Sequence, residues 1–468
     1  MAQLNIPRVV IAGVNSGVGK TTIVTGMLAA LSKRGFKVQS YKVGPDYIDP
    51  GFHRLASGKS AHNLDSWLVP PELLADIFTS TAAGNDIAII EGVMGLYDGG
   101  RAGVSSTATV AKLLKAPVVL VIDAKSMGES AAAIALGFKL YDSEVDLAGV
   151  IINRLGSESH KLMVCEAMDR LGIPVIGTVF RNNELSMPER HLGLTPVTEH
   201  DAVAVVDKIG QQVAEQVALD ELVAVAKTAG PLPRRSVPAK VKLNQTPVRI
   251  GVAQDDVFTF YYPSSLEVLA EFGAEIIPFS PLNDKKLPAV DGLILGGGFP
   301  EMFVKELSAN TVMRQDILQA AKHGMPIYAE CGGLMYLMRQ ITDFDNQTYD
   351  MAGVIPAVCQ MQSKLETVGY VEAEALTDNI LCTAGVSLRG HEFHFSRMFP
   401  DMSSEEFPWA FAFKKMRTGA IYQGGYASEN VVASYLHMHF AGNRQAAERF
   451  VDCCAKYRQY LERQGQEM

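Results

Sequence analysis

Long hydrophobic runs, a surplus of basic residues and low-complexity tracts are all missing from this 468-residue sequence. The apolar run at 9–12 is far shorter than the roughly 20 residues of a membrane-spanning helix, so we expect neither a membrane partner nor a secretion signal. The formal net charge of −9 at pH 7 argues against a general nucleic-acid-binding surface. These absences favour a protein whose partners are small molecules.

Cysteine is scarce as well. The sequence has six cysteines, and none stands in the paired C-x-x-C spacing that is typical of zinc sites. Free thiols without a secretion signal suit a reducing compartment, so we expect a cytoplasmic protein. Hydrophobic residues make up 48% of the chain, which is enough for two or three cores.

Proline and basic residues interrupt the chain near its middle. Residues 230–238 read Gly-Pro-Leu-Pro-Arg-Arg-Ser-Val-Pro, which breaks all periodicity and is typical of an exposed linker. A new strand pattern begins at 248. We therefore predict two domains, 1–229 and 248–468, joined by a linker over 230–247.

A glycine-rich loop lies between a strand pattern and a helix pattern near the start of the chain. Residues 9–22 read Val-Val-Ile-Ala-Gly-Val-Asn-Ser-Gly-Val-Gly-Lys-Thr-Thr. Backbone N–H groups of such a loop hold phosphates, Lys20 would reach the outer phosphates and Thr21 would ligate Mg²⁺. Gly13 stands one place earlier than in the usual spacing. The residues predicted to bind ATP or GTP are Gly17, Gly19, Lys20, Thr21 and Thr22.

Polar side chains follow several buried strand patterns of the first domain. Asp46 and Asp49 come after one strand, Glu91 ends the next and is followed by Asp98, and Asn153 comes after a third. Strands alternating with helices predict a parallel sheet covered on both faces, with ligands at the carboxyl edge. The aspartates could instead form a simple turn, and the asparagine could cap a helix.

A cysteine on a sharp turn between a strand and a helix marks the second half. Cys331 follows the strand pattern at 326–329 and precedes two glycines. A helix N-terminus stabilises a thiolate, so we predict a nucleophile with a lowered pKa at this position. Three glycines at 296–298 end another strand and let backbone N–H groups approach a ligand closely.

A thiol nucleophile needs a base, and the sequence offers two pairs of histidines. His437 and His439 alternate along a strand pattern at 433–440, so we expect them to face the same way. His391 and His394 lie in a second strand-like segment. Spacing leaves the choice between the two pairs open.

Together these motifs make the chain resemble the cobyrinic acid a,c-diamide synthase family along nearly its whole length. The first half resembles the dethiobiotin synthetase branch of phosphate-loop NTPases. The second half resembles a class I glutamine amidotransferase domain, which implies a flavodoxin-like α/β fold. The motifs that carry the resemblance are Lys42-Val-Gly-Pro-Asp46-Tyr-Ile-Asp49-Pro, Glu91-Gly-Val-Met-Gly-Leu-Tyr-Asp98-Gly, Gly-Gly-Gly-Phe-Pro-Glu301, Cys331-Gly-Gly and Ser-Tyr-Leu-His437-Met-His439-Phe.

The resemblance implies that Cys331 attacks the side-chain amide of glutamine and that His437, which follows a Tyr-Leu pair, is its base. The usual amidotransferase triad has an acid two residues after this histidine, but His439 stands there. A Cys–His pair without that acid is therefore implied. The backbone N–H groups that would stabilise the oxyanion belong to Gly297, Gly298 and Gly332.

In the first domain the resemblance implies that ATP phosphorylates a corrinoid carboxylate and that ammonia displaces the phosphate, at acetate c before acetate a. Phosphorylation is needed because oxide is a poor leaving group. Lys20 and Lys42 would neutralise the developing charge, and Asn153 would contact adenine. The implied Mg²⁺ ligands are Thr21, Asp46 and Glu91. The residues implied to orient the substrate are Asp46, Asp49 and Asp98.

Several readings of the substrate and function stay open. Cobyrinate, hydrogenobyrinate and nickel-sirohydrochlorin would all use the same motifs. A regulatory ATPase similar to ParA and MinD is a more distant alternative, but such a loop usually carries an early lysine near 14–16, and none is present here. We expect the macrocycle, glutamine and ATP as partners and Mg²⁺ as cofactor, and the resemblance allows a homodimer.

Overall fold

The computed structural model describes residues 3–100, 104–182, 199–233 and 247–466. The chain divides into two units, Met1–Val237 and Pro238–Met468. Most of the predicted linker, 234–246, lies outside the described residues. Among the residues that are described, no helix combines the length and apolar character that crossing a membrane requires.

The first unit alternates strands with helices. Its elements are β1 (Gln3–Leu4), β2 (Arg8–Gly13), α1 (Lys20–Lys33), β3 (Val38–Val43), α2 (Asp49–Ser57), β4 (His62–Leu64), α3 (Pro71–Ala82), β5 (Ile87–Glu91), α4 (Thr107–Leu113), β6 (Val118–Asp123), α5 (Ser130–Tyr141), β7 (Leu147–Leu155), α6 (Glu158–Arg170), β8 (Val175–Phe180), α7 (Glu199–Gln216), α8 (Leu219–Lys227) and β9 (Leu232–Pro233).

Seven of these strands form one parallel sheet in the order β4-β3-β5-β2-β6-β7-β8. Every residue of β2, β3 and β5 is buried, as expected for strands covered on both faces. The predicted parallel sheet is confirmed. On one face α1 packs closely against α7, as Gly26 shows. A Cβ added at this glycine would lie only 2.4 Å from Val213 Cγ2.

The strand order places a ligand crevice beside β2. The chain runs from β2 to β3 and β5 on one side of the sheet and then to β6 and β7 on the other. Where the order changes direction in this way, the loops at the carboxyl ends of the strands separate and leave room for a ligand. The glycine-rich loop after β2 lies at this point.

The second unit has a mixed architecture. Its elements are β10 (Val248–Ala253), α9 (Pro263–Glu271), β11 (Ala274–Phe279), β12 (Gly292–Leu295), a 3₁₀ helix (Pro300–Met302), α10 (Val304–Ala309), α11 (Thr311–Lys322), β13 (Ile327–Glu330), α12 (Gly332–Leu337), β14 (Met338–Thr342), β15 (Thr348–Asp350), β16 (Ile355–Met361), β17 (Thr367–Ala375), β18 (Ser387–His394), β19 (Ser396–Pro400), β20 (Trp409–Lys415), β21 (Ile421–Ala427), β22 (Val431–Ser434), β23 (His437–Met438) and α13 (Arg444–Gln466).

A ten-stranded sheet of order β11-β10-β12-β13-β22-β21-β20-β17-β18-β23 forms the body of this unit. The strands from β11 to β22 are parallel, and the remaining pairs are antiparallel. A separate four-stranded sheet has the order β15-β14-β16-β19. The expected α/β fold is confirmed, and the antiparallel extension is a feature that the sequence patterns did not predict.

The predicted single strand over 433–440 is wrong, because the chain turns between β22 and β23. The turn begins where Leu436 N–H donates to Ser434 Oγ at 3.2 Å. β23 then pairs with β18, several strands away from β22 in the sheet. Because so short a turn connects these two strands, the antiparallel part of the sheet curls and returns β18 to the carboxyl end of β22.

A buried arginine joins three parts of the first unit. Arg8 is fully buried, and its guanidinium donates to the carbonyl oxygens of Leu114 at 2.6 Å, Ile6 at 2.8 Å and Gly230. These bonds connect the start of β2 with the end of α4 and with the segment after α8. Burial lowers the pKa of Arg8 to about 10.

We expect Arg8→Met to lower the free energy of unfolding by about 3 kcal/mol, because it leaves several buried carbonyl oxygens without donors. Arg34→Met is the matched control, since Arg34 pairs with the exposed Asp220 at 3.3 Å and should cost less than about 1 kcal/mol. Urea unfolding followed by circular dichroism measures both. Equal losses for the two variants would contradict the role assigned to Arg8.

Candidate functional site

The glycine-rich loop of the first unit connects β2 to α1 at the carboxyl edge of the sheet. At Gly19 the backbone has a φ of +94°, and an added Cβ would lie 2.5 Å from Asn153 Nδ2. Both the conformation and the close approach therefore require glycine. Asn153 donates from the same nitrogen to the Val18 carbonyl at 2.8 Å, so in this structure it supports the loop.

The segment after β5 folds over this loop. Leu96 N–H donates to the Gly13 carbonyl at 2.8 Å, and Lys20 Nζ donates to the Met94 carbonyl at 2.6 Å. Burial, with a smaller contribution from the positive charge of Lys42, lowers the pKa of Lys20 to about 8. An anion such as a phosphate would favour the charged form of this amine.

A cluster of buried charges lies beside the loop. Lys42 Nζ lies 2.6 Å from Asp49 Oδ2 and 2.8 Å from Glu91 Oε1. Thr21 Oγ1 donates to the same carboxylates, at 3.2 Å and 2.8 Å. Burial disfavours the charged forms of Lys42 and Glu91, but the attraction between these opposite charges outweighs it. The pKa of Lys42 is therefore raised and the pKa of Glu91 is lowered. The structure thus brings together four residues that the motifs singled out.

His53 belongs to this cluster and was missed by the sequence reasoning. Its imidazole is fully buried, and Nε2 lies 2.6 Å from Glu91 Oε2. One signal could have found it: His53 stands four residues after Asp49 on α2, a spacing that puts both side chains on one helix face. The contact fixes the carboxylate of Glu91 from the side opposite to Lys42 and Thr21.

The remaining predicted residues of this unit lie nearby with other contacts. Asp46 accepts hydrogen bonds from the N–H groups of Ile48 at 2.8 Å and Asp49 at 3.1 Å, so it caps the turn before α2. Burial and repulsion by Asp49 raise the pKa of Asp46 to about 6. Asp98 accepts from Gly95 N–H at 3.0 Å. Gly17 lies in the loop, and Thr22 lies in the first turn of α1.

The oxygen atoms of this cluster suit a magnesium ion. Thr21, Asp49 and Glu91 offer a hydroxyl and two carboxylates, and Mg²⁺ prefers such ligands together with phosphate oxygens and water. The described residues contain no group of three or more His, Cys, Asp or Glu side chains that could hold a metal ion. Asp49, rather than Asp46, is the aspartate that lies beside Thr21.

Cys331 lies at the turn between β13 and α12 in the second unit. Its backbone has φ +46° and ψ −99°, which is a strained conformation for a residue other than glycine. Gly333 permits the turn, since an added Cβ would lie 2.1 Å from the Leu295 carbonyl oxygen. The thiol lies 3.9 Å from the carbonyl oxygen of Phe393 on β18.

The predicted low pKa of this thiol is wrong for the structure described here. Burial raises the pKa of Cys331 above the ordinary value of a thiol, and the carboxylates of Glu301 and Glu330 raise it further. The Gly332 N–H group opposes them but is the weaker influence. The start of a short helix therefore does not outweigh desolvation, and the resting side chain is a neutral thiol.

The two histidines at 437 and 439 face different neighbours, contrary to the prediction. A Cβ added at Gly297 would lie 2.5 Å from His437 Cε1, and one added at Gly332 would lie 3.0 Å from Gly298 N. His437 and the cysteine turn therefore flank the same glycine loop. His439 instead stacks on Tyr262 at a ring distance of 4.8 Å.

The second histidine pair lies behind this centre. His391 is the register partner of His437, with ring centroids 5.0 Å apart, and burial together with His437 lowers the pKa of His391 well below its ordinary value. His394 stacks on Tyr435 at 3.7 Å, and burial lowers the pKa of His394 to about 4. Both rings are therefore neutral near pH 7 and pack around the site.

Tyr261 and Glu330 also belong to this centre, and the sequence reasoning missed both. The Tyr261 hydroxyl accepts from Gly296 N–H at 2.8 Å and so holds the glycine loop in place. Glu330 Oε2 lies 3.4 Å from His437 Nδ1. The signal for Glu330 was its position at the carboxyl end of a buried strand, the same position that Glu91 has in the first unit.

Comparisons with known proteins identify both units. Residues 9–194 match the family described as "CobQ/CobB/MinD/ParA nucleotide binding domain", and residues 249–445 match "CobB/CobQ-like glutamine amidotransferase domain". A cobyrinate a,c-diamide synthase of Dehalococcoides mccartyi is 44% identical over 96% of this chain and 98% of its own. A hydrogenobyrinate a,c-diamide synthase of Streptomyces coelicolor is 42% identical over 96% of this chain and 98% of its own.

The raised pKa of Cys331 predicts how the thiol reacts with iodoacetamide. Since only the thiolate reacts, the rate of alkylation should rise about tenfold per pH unit and show no plateau between pH 6 and pH 9. Peptide mass spectrometry measures the adduct at this residue, and Cys331→Ala identifies the background from the other cysteines. A rate that levels off near neutral pH would contradict a neutral resting thiol.

Proposed function

This chain belongs to the family of cobyrinate and hydrogenobyrinate a,c-diamide synthases, and we propose that its own substrate is cobyrinate. It is a glutamine-dependent ligase that carries an ATP-binding domain. The proposed reaction converts the acetate side chains c and then a to amides, in cobalamin biosynthesis. The observation that carries the proposal is the 44% identity to a cobyrinate a,c-diamide synthase, which extends over both units.

We assign ATP-dependent activation to residues 1–229 and ammonia release to residues 248–468, with 230–247 as the linker. The two family matches, 9–194 and 249–445, support this assignment. The linker position agrees with the proline-rich composition there.

Glutamine hydrolysis would begin at Cys331. The sulfur attacks the side-chain amide carbon of glutamine while its proton passes to His437. Nitrogen then leaves as ammonia with a proton from the imidazole, and water hydrolyses the thioester to glutamate. The residues whose N–H groups would hold the oxyanion are Gly297, Gly298 and Gly332. The position of His437 and of the cysteine turn against the same glycine loop supports this proton transfer.

Carboxylate activation would take place at the glycine-rich loop. A carboxylate oxygen of the macrocycle attacks the γ-phosphorus of ATP, ADP leaves, and ammonia then displaces phosphate from the acyl phosphate. Lys20 and Lys42 carry the positive charge that the transferred phosphoryl group requires. The N–H groups of the loop would hold the β-phosphate.

A Mg²⁺ ion bound here would supply charge neutralisation of the nucleotide phosphates. Thr21 and Glu91 would hold it, and the contact of Asp49 with Thr21 makes that aspartate the stronger candidate for the third position. Asp46 stays a predicted further ligand. Asp98 stays a predicted substrate-orienting residue, and Asn153 a predicted adenine contact.

The substrate proposal predicts which macrocycle is amidated. The protein is incubated with ATP, Mg²⁺, glutamine and, in separate reactions, cobyrinate, hydrogenobyrinate or nickel-sirohydrochlorin, and the products are analysed by mass spectrometry. We expect cobyrinate to give a monoamide and then a diamide, with the monoamide at position c. If either of the other two macrocycles is amidated faster, that macrocycle and not cobyrinate is the substrate.

The division of labour between the units predicts opposite effects of two substitutions. Cys331→Ala should abolish glutamine-dependent amidation and leave amidation with added ammonium salts, because the thiol serves only to release ammonia. Lys20→Ala should stop amidation from either nitrogen source and spare part of the glutaminase activity. Equal loss of the ammonia-dependent reaction in Cys331→Ala would contradict the assignment.

A further inference from the structure

An imidazole that accepts a proton from a thiol needs a group that fixes its orientation and stabilises the imidazolium. The position two residues after His437 does not provide this group. His439 stands there, and it stacks on Tyr262 while its Nδ1 accepts from Ala441 N–H at 3.1 Å. Its contacts therefore serve the local turn rather than His437.

A carboxylate approaches His437 from a different direction. Glu330 is the last residue of β13 and the residue directly before Cys331. Its Oε2 lies 3.4 Å from His437 Nδ1, and the two side chains are 11% and 2% exposed. Once His437 has accepted a proton, its attraction to a carboxylate so shielded from water is stronger than it would be at the surface.

The second oxygen of the same carboxylate is held by the protein. The Tyr328 hydroxyl donates to Glu330 Oε1, and so does Met438 N–H at 3.3 Å. Tyr328 lies two residues earlier on β13 and therefore on the same side of the strand. One oxygen is thus fixed by β13 and β23, and the other is directed at the imidazole.

The contact at Nδ1 also determines which ring nitrogen is available for the thiol. With Nδ1 facing Glu330, we assign proton exchange with the thiol to Nε2, the other ring nitrogen. His391, the other imidazole against this ring, is neutral and cannot supply a negative charge.

We propose that Glu330 is the positioning residue of the glutaminase centre and that it acts through His437. Cys331, His437 and Glu330 then form a working triad whose acid comes from the residue before the nucleophile. This inference rests on the proposed glutamine hydrolysis at Cys331.

The test compares Glu330→Gln with wild-type protein in glutaminase and amidation assays. We expect kcat for glutamine hydrolysis to fall at least about 100-fold, with the KM for glutamine within about threefold, because Glu330 acts on the base and not on the substrate. Amidation with ammonium salts should be unchanged, because it takes place in the first unit, and thermal unfolding followed by circular dichroism checks separately that the second unit is folded. Wild-type protein without glutaminase activity would refute the proposed function instead of this inference.

The pH profile gives a readout that a structural role would not change. Removing a negative charge next to the base that accepts the thiol proton should move the acid limb of kcat/KM to lower pH. The other titratable groups close to this centre are Cys331, Cys359, His391, His394, Tyr261, Tyr328, Tyr435 and Glu301. They are unchanged in the variant.

Glu392→Gln is the matched control. Glu392 is also buried and also accepts a hydrogen bond from a tyrosine, Tyr422, but it lies on β18 next to His391. We expect it to leave both the glutaminase rate and the acid limb unchanged. The same loss of glutaminase rate in both variants would show that Glu330 has only a structural role.

A double-mutant cycle with His437→Ala tests whether Glu330 acts through the imidazole. Glu330→Gln should cause no further loss in the His437→Ala background. An undiminished loss in that background, or an unchanged acid limb in the single variant, would overturn the proposal. Glu330→Asp, which keeps the charge at a greater distance, should recover part of the rate.

Discussion

A buried carboxylate at the carboxyl end of a parallel strand is the constraint on which both units depend. Glu91 ends β5 and Glu330 ends β13, and an isolated charge at either position would be costly to bury. Each is compensated by neighbours that the proposed reactions also use. Lys42, Thr21 and His53 surround the first carboxylate, while His437 and Tyr328 face the second. The contacts that make these buried carboxylates stable are therefore also the contacts that the proposed reactions use, and in each unit they lie at the carboxyl edge of the sheet.

The nucleotide centre and the thiol centre have opposite electrostatic requirements. The nucleotide centre must attract a highly charged anion, and it has two lysines beside the glycine-rich loop. The thiol centre is apolar and acidic around Cys331, which keeps the sulfur neutral until a base takes its proton. Desolvation raises the pKa of a thiol more than the end of a short helix lowers it. In the proposed reaction the histidine is thus needed when the sulfur attacks, and the orientation of its ring becomes important.

Local patterns predicted the elements that are continuous in the chain. The glycine-rich loop, the buried strands of the first unit and the strand–turn–helix at Cys331 depend on residues close in sequence, and the structure contains them all. Apart from β18, which the sequence marked as strand-like, the strands from β14 to β21 were missed, because several mix buried and exposed residues without a regular pattern, as in β20. The break after Ser434 was missed because alternating histidines look the same in one strand as across a turn.

The order of residues in the chain determined which chemical groups are available. These are a phosphate-binding loop, one cysteine on a strained turn, and histidines late in the chain. The fold decided which of these groups work together. It placed Asp49 rather than Asp46 against Thr21, set His437 rather than His439 against the glycine loop, and brought Glu330 to that imidazole. The contact of Asp49 with Thr21 joins α1 and α2, and the position of His437 follows from the pairing of β23 with β18. No local pattern encodes either.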